Sequence, residues 1–454
     1  MALCRCEEIW LNLEGRHLRH GSSALCLLSD YRGGATLSPG DNKSSHQGEG
    51  HARQDTERAE PPRDLGSGNK VELDVNPFGG SLEKQRNSVR ASQGQYDLLI
   101  MNSGWFAEMY FGGFVEAISD IDPGFKLDPE VYTLGDTVYF DPGKKTMTPA
   151  GKLMSMSISP LIPMLYYRGD LYREAGLKAP ELFSELEANA RKFHNPPRIY
   201  GIVQRGARGP HDVAYDFYPY LYGHGGGIFK DQAAGDYSVI LNSEKGKAAL
   251  DYYIRLAREA GHPKTAALSQ TEVIQNMVTG RAAHILMVIA AWSQMDDPSK
   301  SAVVDKVEFA VPPHVPGVPP GPGLGHWLGG VAKNVPDDRK RATVAFLRWF
   351  QTKDAQVATG KFGGIPINGA AYRDPIFEER KYRWMKPLSE ALKHAVNIYQ
   401  FPEASEVIAI QELGLNQAIA GETTSTQALN SMADQIHAVM SKYGYNTGKL
   451  EPLK

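Results

Sequence analysis

The sequence has little cysteine, and what it has lies at one end. Its three cysteines, Cys4, Cys6 and Cys26, all precede Ser29, so no disulfide can cross-link the rest of the chain. Cys4 and Cys6 are separated by one residue, a shorter spacer than zinc sites use, and we expect no metal there. The folded body must therefore be held together by its hydrophobic core.

Long apolar runs and a strong net charge are also missing. No stretch approaches the ~18 apolar residues of a membrane-spanning helix, and the longest candidate, 282–292, is interrupted by His284. A net charge of −3 gives no electrostatic basis for binding nucleic acid. No export leader can be read in residues 1–30, whose longest apolar stretch is 24–28.

Patterns that carry catalysis are absent as well. The sequence contains no G-x-S-x-G, H-E-x-x-H or P-loop motif, and the glycine-rich stretch 223–229 lacks the spacing of a dinucleotide fingerprint. Acidic pairs such as Asp296–Asp297 fall in predicted turns and give no basis for a glycosidase pair. We therefore expect neither enzymatic activity nor a cofactor.

The chain does show an alternation of strand and helix patterns from Lys70 onwards. At 454 residues it is too long for one typical core and suits two domains. Residues 71–75 alternate as a half-buried strand, 82–91 read as a helix, and 96–101 form an apolar run of the length expected for a buried parallel strand. A further strand over 200–206 and an amphipathic helix over 243–261 complete a pattern that predicts an α/β fold.

Two stretches depart from this alternation. Residues 1–69 are rich in Gly, Ser, Pro and charge without periodicity, and we expect most of them to be disordered. Residues 312–325 form a Pro/Gly loop, after which the pattern becomes almost wholly helical over 375–443.

The segment 163–193, PMLYYRGDLYREAGLKAPELFSELEANARKF, resembles a signature of the extracytoplasmic solute-binding proteins of carbohydrate ABC transporters (solute-binding protein family 1). Segments 96–121, 273–292, 329–356 and 415–445 resemble further family blocks and occur in the family's order. The resemblance covers about 70–454. Residues 1–69 match neither the strand nor the helix with which family members open, so we interpret the start as aberrant, with replacement in this lineage as the alternative.

The resemblance implies a two-lobed α/β fold, the periplasmic-binding-protein-like fold of type II, with a hinge between the lobes. Lobe one is expected at 70–159 and 311–334, and lobe two at 160–310 and 335–454. The implied function is that of the substrate-binding component of an ABC transporter that imports a sugar, oligosaccharide or polyol. Such a protein captures its ligand in the inter-lobe cleft by hinge closure. It then delivers the ligand to the permease subunits in the membrane.

The resemblance also implies a monomer in the periplasm or another extracytoplasmic location. A ligand-binding sensor or chemoreceptor partner of the same fold, without transport, is the alternative function. Gene neighbours would distinguish the two, because transport requires permease subunits.

Candidate ligand-binding residues follow from the chemistry of sugars, whose apolar faces stack on aromatic rings and whose hydroxyls pair with amides, carboxylates and Arg. Asn102 and Trp105 follow a predicted strand, where open α/β sheets bind ligands. Trp292 follows another apolar strand and aligns with a family tryptophan, and Arg205 ends a third. Core packing for the aromatic residues and a solvated surface for Arg205 are the alternatives.

Two further aromatic residues complete the predicted site. Tyr166 and Tyr167 alternate faces if 165–167 is a strand, so one of them at most can contact ligand, and we select Tyr167. Trp327 lies beside the Pro/Gly loop, in the region where the family places a tryptophan or glycine pair against ligand. Trp349 and Trp384 lie in predicted helices and are expected in the core.

Overall fold

The computed structural model describes residues 10–13, 16–19, 35–39, 71–76 and 78–454, which form two compact units. Unit 1 comprises the described residues of 1–102, 109–159 and 327–371. Unit 2 comprises 103–108, 160–326 and 372–454. The three cysteines, and with them the question of a metal at Cys4 and Cys6, lie outside the described residues.

The two units divide the chain at 159/160, as the predicted lobes do, but three segments are assigned differently, the first being 103–108, which belongs to unit 2. Residues 311–326 belong to unit 2, where the amides of Leu324 and Gly325 donate to the carbonyls of Val396 and Leu161, each over 2.9 Å. Residues 335–371 belong to unit 1, where Arg339 pairs with the buried Asp97 over 2.6 Å.

The described residues form strands and helices that alternate along most of the chain. The strands are β1 Trp10–Leu13, β2 Arg16–Arg19, β3 Ala35–Pro39, β4 Val71–Val75, β5 Leu98–Asn102, β6 Val115–Glu116, β7 Tyr139–Phe140, β8 Lys152–Leu153, β9 Ser155–Ser159, β10 Pro163–Arg168, β11 Phe229–Asp231, β12 Asp236–Val239, β13 His284–Val288, β14 Val307–Ala310 and β15 Trp327–Ala332. The α-helices are α1 Phe78–Arg90, α2 Phe106–Phe111, α3 Ile118–Ile121, α4 Gly169–Glu174, α5 Phe183–Phe193, α6 Val213–Gly223, α7 Glu244–Ala260, α8 Gln270–Val278, α9 Trp292–Met295, α10 Asp337–Phe350, α11 Lys353–Lys361, α12 Met385–Leu392, α13 Ala404–Ala420 and α14 Ser425–Lys442. Short 3-10 turns precede α9 and α12.

Unit 1 is built on a six-stranded sheet in the order β4-β3-β5-β15-β6, with β9 also pairing with β15. Strand β5 runs antiparallel to β3 and to β15, so the predicted parallel direction is wrong. All five residues of β5 are buried. Burial on both faces explains the uninterrupted apolar run, but it does not encode the direction of the neighbouring strands.

Strand β3 corrects the expectation for residues 1–69. It pairs along its whole length with β4 and also contacts β5, with Leu37 opposite both Leu73 and Leu98. Because its backbone satisfies hydrogen-bonding groups on two neighbouring strands, disorder is wrong for 35–39, and this segment is part of the sheet. Strands β1 and β2 pair with each other. The rest of 1–69 lies outside the described residues.

Unit 2 contains a three-stranded antiparallel sheet in the order β13-β10-β14, flanked by helices. Helix α6 contacts α7 and α13, and α13 contacts α14. The predicted strand over 200–206 is absent, because its amides are accepted by three separate elements. Ile202 donates to the carbonyl of Ala260, Val203 to that of His284 and Gly206 to that of Leu268.

The ends of the long helices are set by local sequence signals. The Ser243 side chain accepts the amide of Gly246 at the start of α7, and Thr424 forms a capping box with Gln427 at the start of α14. Helix α13 ends at Gly421, whose φ of +82° is readily adopted by glycine. Over the described part of the chain, none of the helices combines the length and apolar character that crossing a bilayer requires.

Candidate functional site

In unit 1, the fold brings Asn102 and Trp327 together. Asn102 ends β5, Trp327 begins β15, and the two are register partners. On its other side Trp327 lies opposite Ser159, the last residue of β9. Asn102 and Trp327 are 4% and 3% exposed, respectively. The ends of three neighbouring strands thus place an amide and an indole side by side.

In unit 2, Trp292 is held by a second tryptophan. It begins α9, after a 3-10 turn that follows β13. Its ring centroid lies 4.7 Å from that of Trp384, with 30° between the ring planes, and Tyr382 lies 6.3 Å away. Trp384 is fully buried, as expected, whereas Trp292 keeps 7% of its surface exposed. This ring contact restrains the orientation of Trp292, as an aromatic platform requires.

Trp105 lies in a short segment that belongs to unit 2. The amide of Ser103 donates to the carbonyl of His326 over 2.9 Å, and the Phe106 ring lies 5.7 Å from the His326 imidazole. Trp105 itself is 5% exposed. The contacts of Ser103 and Phe106 with His326 thus flank Trp105, which lies just before α2.

Tyr166 and Tyr167 point to opposite faces of β10, as predicted from strand geometry. The Tyr167 ring packs 4.7 Å from that of Tyr172, and burial raises the pKa of its hydroxyl, as does the charge of Glu308. The fully buried Tyr166 donates to the Val288 carbonyl over 2.7 Å, and burial, together with the charge of Asp216, raises its pKa. Tyr166 therefore lies within the electrostatic influence of Asp216.

Arg205 forms the centre of a buried polar cluster. Its Nε lies 2.9 Å from Asp216 and its Nη1 2.8 Å from Asp212, and its Nη2 donates to Gln270 over 3.1 Å. The side chain is 2% exposed. All three nitrogens of the guanidinium group are thus engaged by protein groups, in contrast to the solvated arginine that was the alternative.

Glu412, on α13, fastens the loop that follows Arg205. Its carboxylate accepts the amides of Gly209, Asp212, Val213 and Ala214 at 3.0, 2.7, 3.3 and 3.0 Å. The first turn of a helix presents amides without intrahelical partners and a positive dipole end, so a carboxylate is well suited to this place. One side chain therefore fixes both the 209–212 turn and the start of α6.

The electrostatics of this cluster follow from its composition: one buried guanidinium lies among three carboxylates, of which those of Asp216 and Glu412 are also buried. Burial raises the pKa of Glu412 to about 7, although backbone hydrogen bonds lower it. Burial also raises the pKa of Asp216 to about 7, against the opposing effect of Arg205 and with Asp212 and Glu412 adding to it. Burial alone would lower the pKa of Arg205, but Asp216 and Asp212 leave it raised. The arginine stays charged, while two acids become easier to protonate.

His211 adds a neutral ring to the cluster. Burial, together with the charge of Arg205, lowers its pKa to about 3. The imidazole lies among three tyrosines, with centroid distances of 5.2 Å to Tyr215, 5.9 Å to Tyr218 and 5.8 Å to Tyr399. The neighbourhood of Arg205 thus combines aromatic surface, hydroxyl groups and carboxylates.

Sequence reasoning missed Asp216, Glu412 and His211. A signal existed for the two acids, because Asp216 interrupts the apolar run VAYDFYPYLYG and Glu412 the run AIQELGL. A charged residue on a buried helix needs a partner. Among the described residues, no group of three or more His, Cys, Asp or Glu side chains is arranged to hold a metal ion.

Comparison with known proteins places the chain in a family. Residues 64–357 match the bacterial extracellular solute-binding proteins, and the chain belongs to this family. A mannitol-binding protein of Pseudomonas aeruginosa is 22% identical over 394 residues, which cover 80% of this chain and 84% of the relative. A probable amino-acid ABC transporter periplasmic-binding protein of Sinorhizobium fredii is 21% identical over 297 residues, 65% of this chain and 66% of the relative.

Solved structures share the fold. An ABC transporter solute-binding protein of Agrobacterium radiobacter K84, in complex with ribitol, superposes with a TM-score of 0.69 at 23% identity. The alignment covers 81% of this chain and 90% of that protein. The predicted periplasmic-binding-protein-like α/β fold is confirmed.

Proposed function

We propose that this protein is the substrate-binding component of an ABC transporter and that its ligand is a neutral sugar, oligosaccharide or polyol. One observation carries the choice of a neutral ligand. Arg205 is the only charged residue among the six predicted to contact ligand, and its guanidinium is paired with Asp216, Asp212 and Gln270. The others, Trp292, Trp105, Trp327, Tyr167 and Asn102, offer aromatic surface, a hydroxyl and an amide.

This set of side chains suits a ligand with hydroxyl groups and apolar C–H faces. An amino acid would bring a carboxylate and an ammonium group, and a charge removed from water requires a paired partner. The mannitol and ribitol named for two of the similar proteins belong to the neutral class. A polyol is therefore the first ligand to test.

The same proposal places the protein outside the cytoplasmic membrane, where it delivers ligand to permease subunits. Hinge closure stays a prediction, which requires the closed state to bind ligand more tightly than the open state. No catalytic step is part of the proposal.

A thermal-shift screen followed by calorimetry on the full chain tests the ligand class. D-Mannitol, ribitol and maltose are compared with a panel of amino acids. A ligand at ~100 times its dissociation constant adds ~2.7 kcal/mol to the free energy of unfolding if it binds only the folded state. We expect saturable binding of at least one neutral compound. Saturable binding of an amino acid, with none of any sugar or polyol, would show that the ligand class is wrong.

A further inference from the structure

Unit 2 contains a cavity of about 490 Å³ that none of the predicted ligand-binding residues lines. It lies where α7 and α13 end, and this volume falls within the range of ~300–1,000 Å³ found for small-molecule pockets. Its walls are formed by His194, Pro196, Tyr200, Ala257, Arg258, Gly261, His262, Pro263, Thr265, Ala266, Ile419 and Ala420.

Positive charge predominates around this cavity. Arg258 lines it, Lys264 lies between two lining residues, and the Arg281 guanidinium lies 6.0 Å from the ring centre of the lining Tyr200. None of these three cations forms an ion pair with another described residue, and none of the lining residues is acidic. The carbonyl ends of α7 and α13 contribute roughly half a negative charge each, which offsets about one of the three positive charges.

The two histidines of the cavity are set as hydrogen-bond donors. Nδ1 of His194 accepts the amide of Gly201 over 3.2 Å, and Nδ1 of His262 accepts the amide of Lys264 over 3.1 Å. Each neutral imidazole therefore carries its proton on Nε2. Burial, followed by the charges of Arg281 and Lys264, lowers the pKa of His262, in agreement with a positive surrounding.

We propose that this cavity binds a small molecule through a phosphate group. His194, His262, Arg258 and Tyr200, which line the cavity from separate segments of the chain, carry imidazole N–H, guanidinium and hydroxyl donors, and the oxygens of a tetrahedral phosphate accept from several directions. A planar carboxylate is matched by a single guanidinium fork and would leave the other donors unused. Ala257, Ile419 and Ala420 provide apolar wall for the remainder of the ligand.

Calorimetry at low ionic strength tests the proposal, because salt screens exposed charges. The full chain is titrated with inorganic phosphate and with methyl phosphate. We expect saturable binding that Arg258→Gln weakens about tenfold or more. The matched control is Arg341→Gln, which removes an exposed arginine of unit 1 that has no ion pair among the described residues and should change the affinity by less than about twofold.

The imidazole NMR signals of the histidine-labelled parent protein locate the bound phosphate. This measurement does not require the Arg258→Gln variant and is therefore valid even if that variant fails to fold. The signals of His194 and His262, assigned with His194→Phe and His262→Phe, should move, while those of the buried His284 and His326 stay in place. Equal affinity for the two probes identifies free phosphate as the ligand, and tighter methyl phosphate identifies an ester. Absence of saturable binding, unmoved His194 and His262 signals, or undiminished binding by a folded Arg258→Gln variant overturns the proposal.

Discussion

The predicted platform Trp292 has both a packing role and a proposed binding role. Because Trp292 is 7% exposed and its ring packs against that of Trp384, truncation to alanine removes core contacts as well as any ligand surface. Large-to-small substitution of a buried tryptophan costs ~3–5 kcal/mol. Trp292→Ala therefore cannot separate binding from stability, and a variant that keeps an aromatic ring is required.

Trp292→Phe provides that separation. A phenyl ring can still pack on Trp384 but offers less area for stacking, so we expect ligand affinity to fall about fivefold or more. The loss in unfolding free energy should stay below about 2 kcal/mol. Trp349→Phe, a half-buried tryptophan of α10, is the control and should leave affinity unchanged. Calorimetry and chemical denaturation measure the two quantities, and a destabilised variant with unchanged affinity would show that Trp292 is core alone.

Glu412 gives a prediction about pH. Its pKa in the folded protein is raised from the ordinary 4.5 to about 7, so between these values the folded state binds more protons than the unfolded state. Its contribution to stability is thus fully present below about pH 4.5 and is lost as the pH rises through about 7. The effect amounts to about 1.4 kcal/mol per pH unit within this window.

Glu412→Gln should remove this dependence. We expect the variant to be less stable than the parent, because one amide oxygen replaces two carboxylate oxygens as acceptor for the four amides. The difference in unfolding free energy should grow as the pH falls from 7 to 5. Denaturation at several pH values measures it, and exposed Glu174→Gln is the control. A difference that shrinks towards low pH would contradict the assigned pKa.

At the scale of elements, sequence patterns predicted the helices and strands whose formation depends on residues close together in the chain. The helix over 243–261 is found as α7, since amphipathic spacing and the Ser243 cap are local features. The sequence pattern wrongly predicted a strand at 200–206. Its amides pair with the carbonyls of Ala260, His284 and Leu268, which lie far along the chain and leave no local pattern. The contact between Trp292 and Trp384 could not be predicted for the same reason, because the two residues are far apart in the sequence.

The start of α14 tests a local signal. Thr424 accepts the amide of Gln427, and the Gln427 side chain accepts the amide of Thr424. Thr424→Ala should lower the unfolding free energy by about 0.5–2 kcal/mol. Thr423→Ala is a matched control, because the buried Thr423 hydroxyl has no hydrogen-bond partner among the described residues and its removal should be neutral or slightly stabilising. If thermal or chemical denaturation shows the same loss of unfolding free energy for both variants, the loss comes from replacing a threonine and not from removing the cap.

At the scale of the whole molecule, neither unit is a continuous piece of chain. The Pro/Gly loop at 312–325 lies in unit 2 and was predicted in lobe one, because its attachment rests on backbone hydrogen bonds such as those of Leu324 and Gly325, which residue types do not encode. The order of family-like segments predicted the fold class, which depends on the succession of elements. The edges of the units depend on tertiary contacts instead.

The segment before Lys70 offers the sharpest test at this scale, since β3 lies between β4 and β5 in the sheet of unit 1. Proline has no amide hydrogen and is poorly tolerated inside a paired strand. Leu37→Pro should therefore weaken the ladders to both neighbours, so that the amides of β4 and β5 exchange faster with deuterium while those of β10 and β13 in unit 2 keep their rates. Leu37→Val keeps the amide and the strand propensity and is the control. If exchange of β4 and β5 is the same in the proline variant and the control, β3 does not pair with them in solution, and disorder would after all describe residues 35–39.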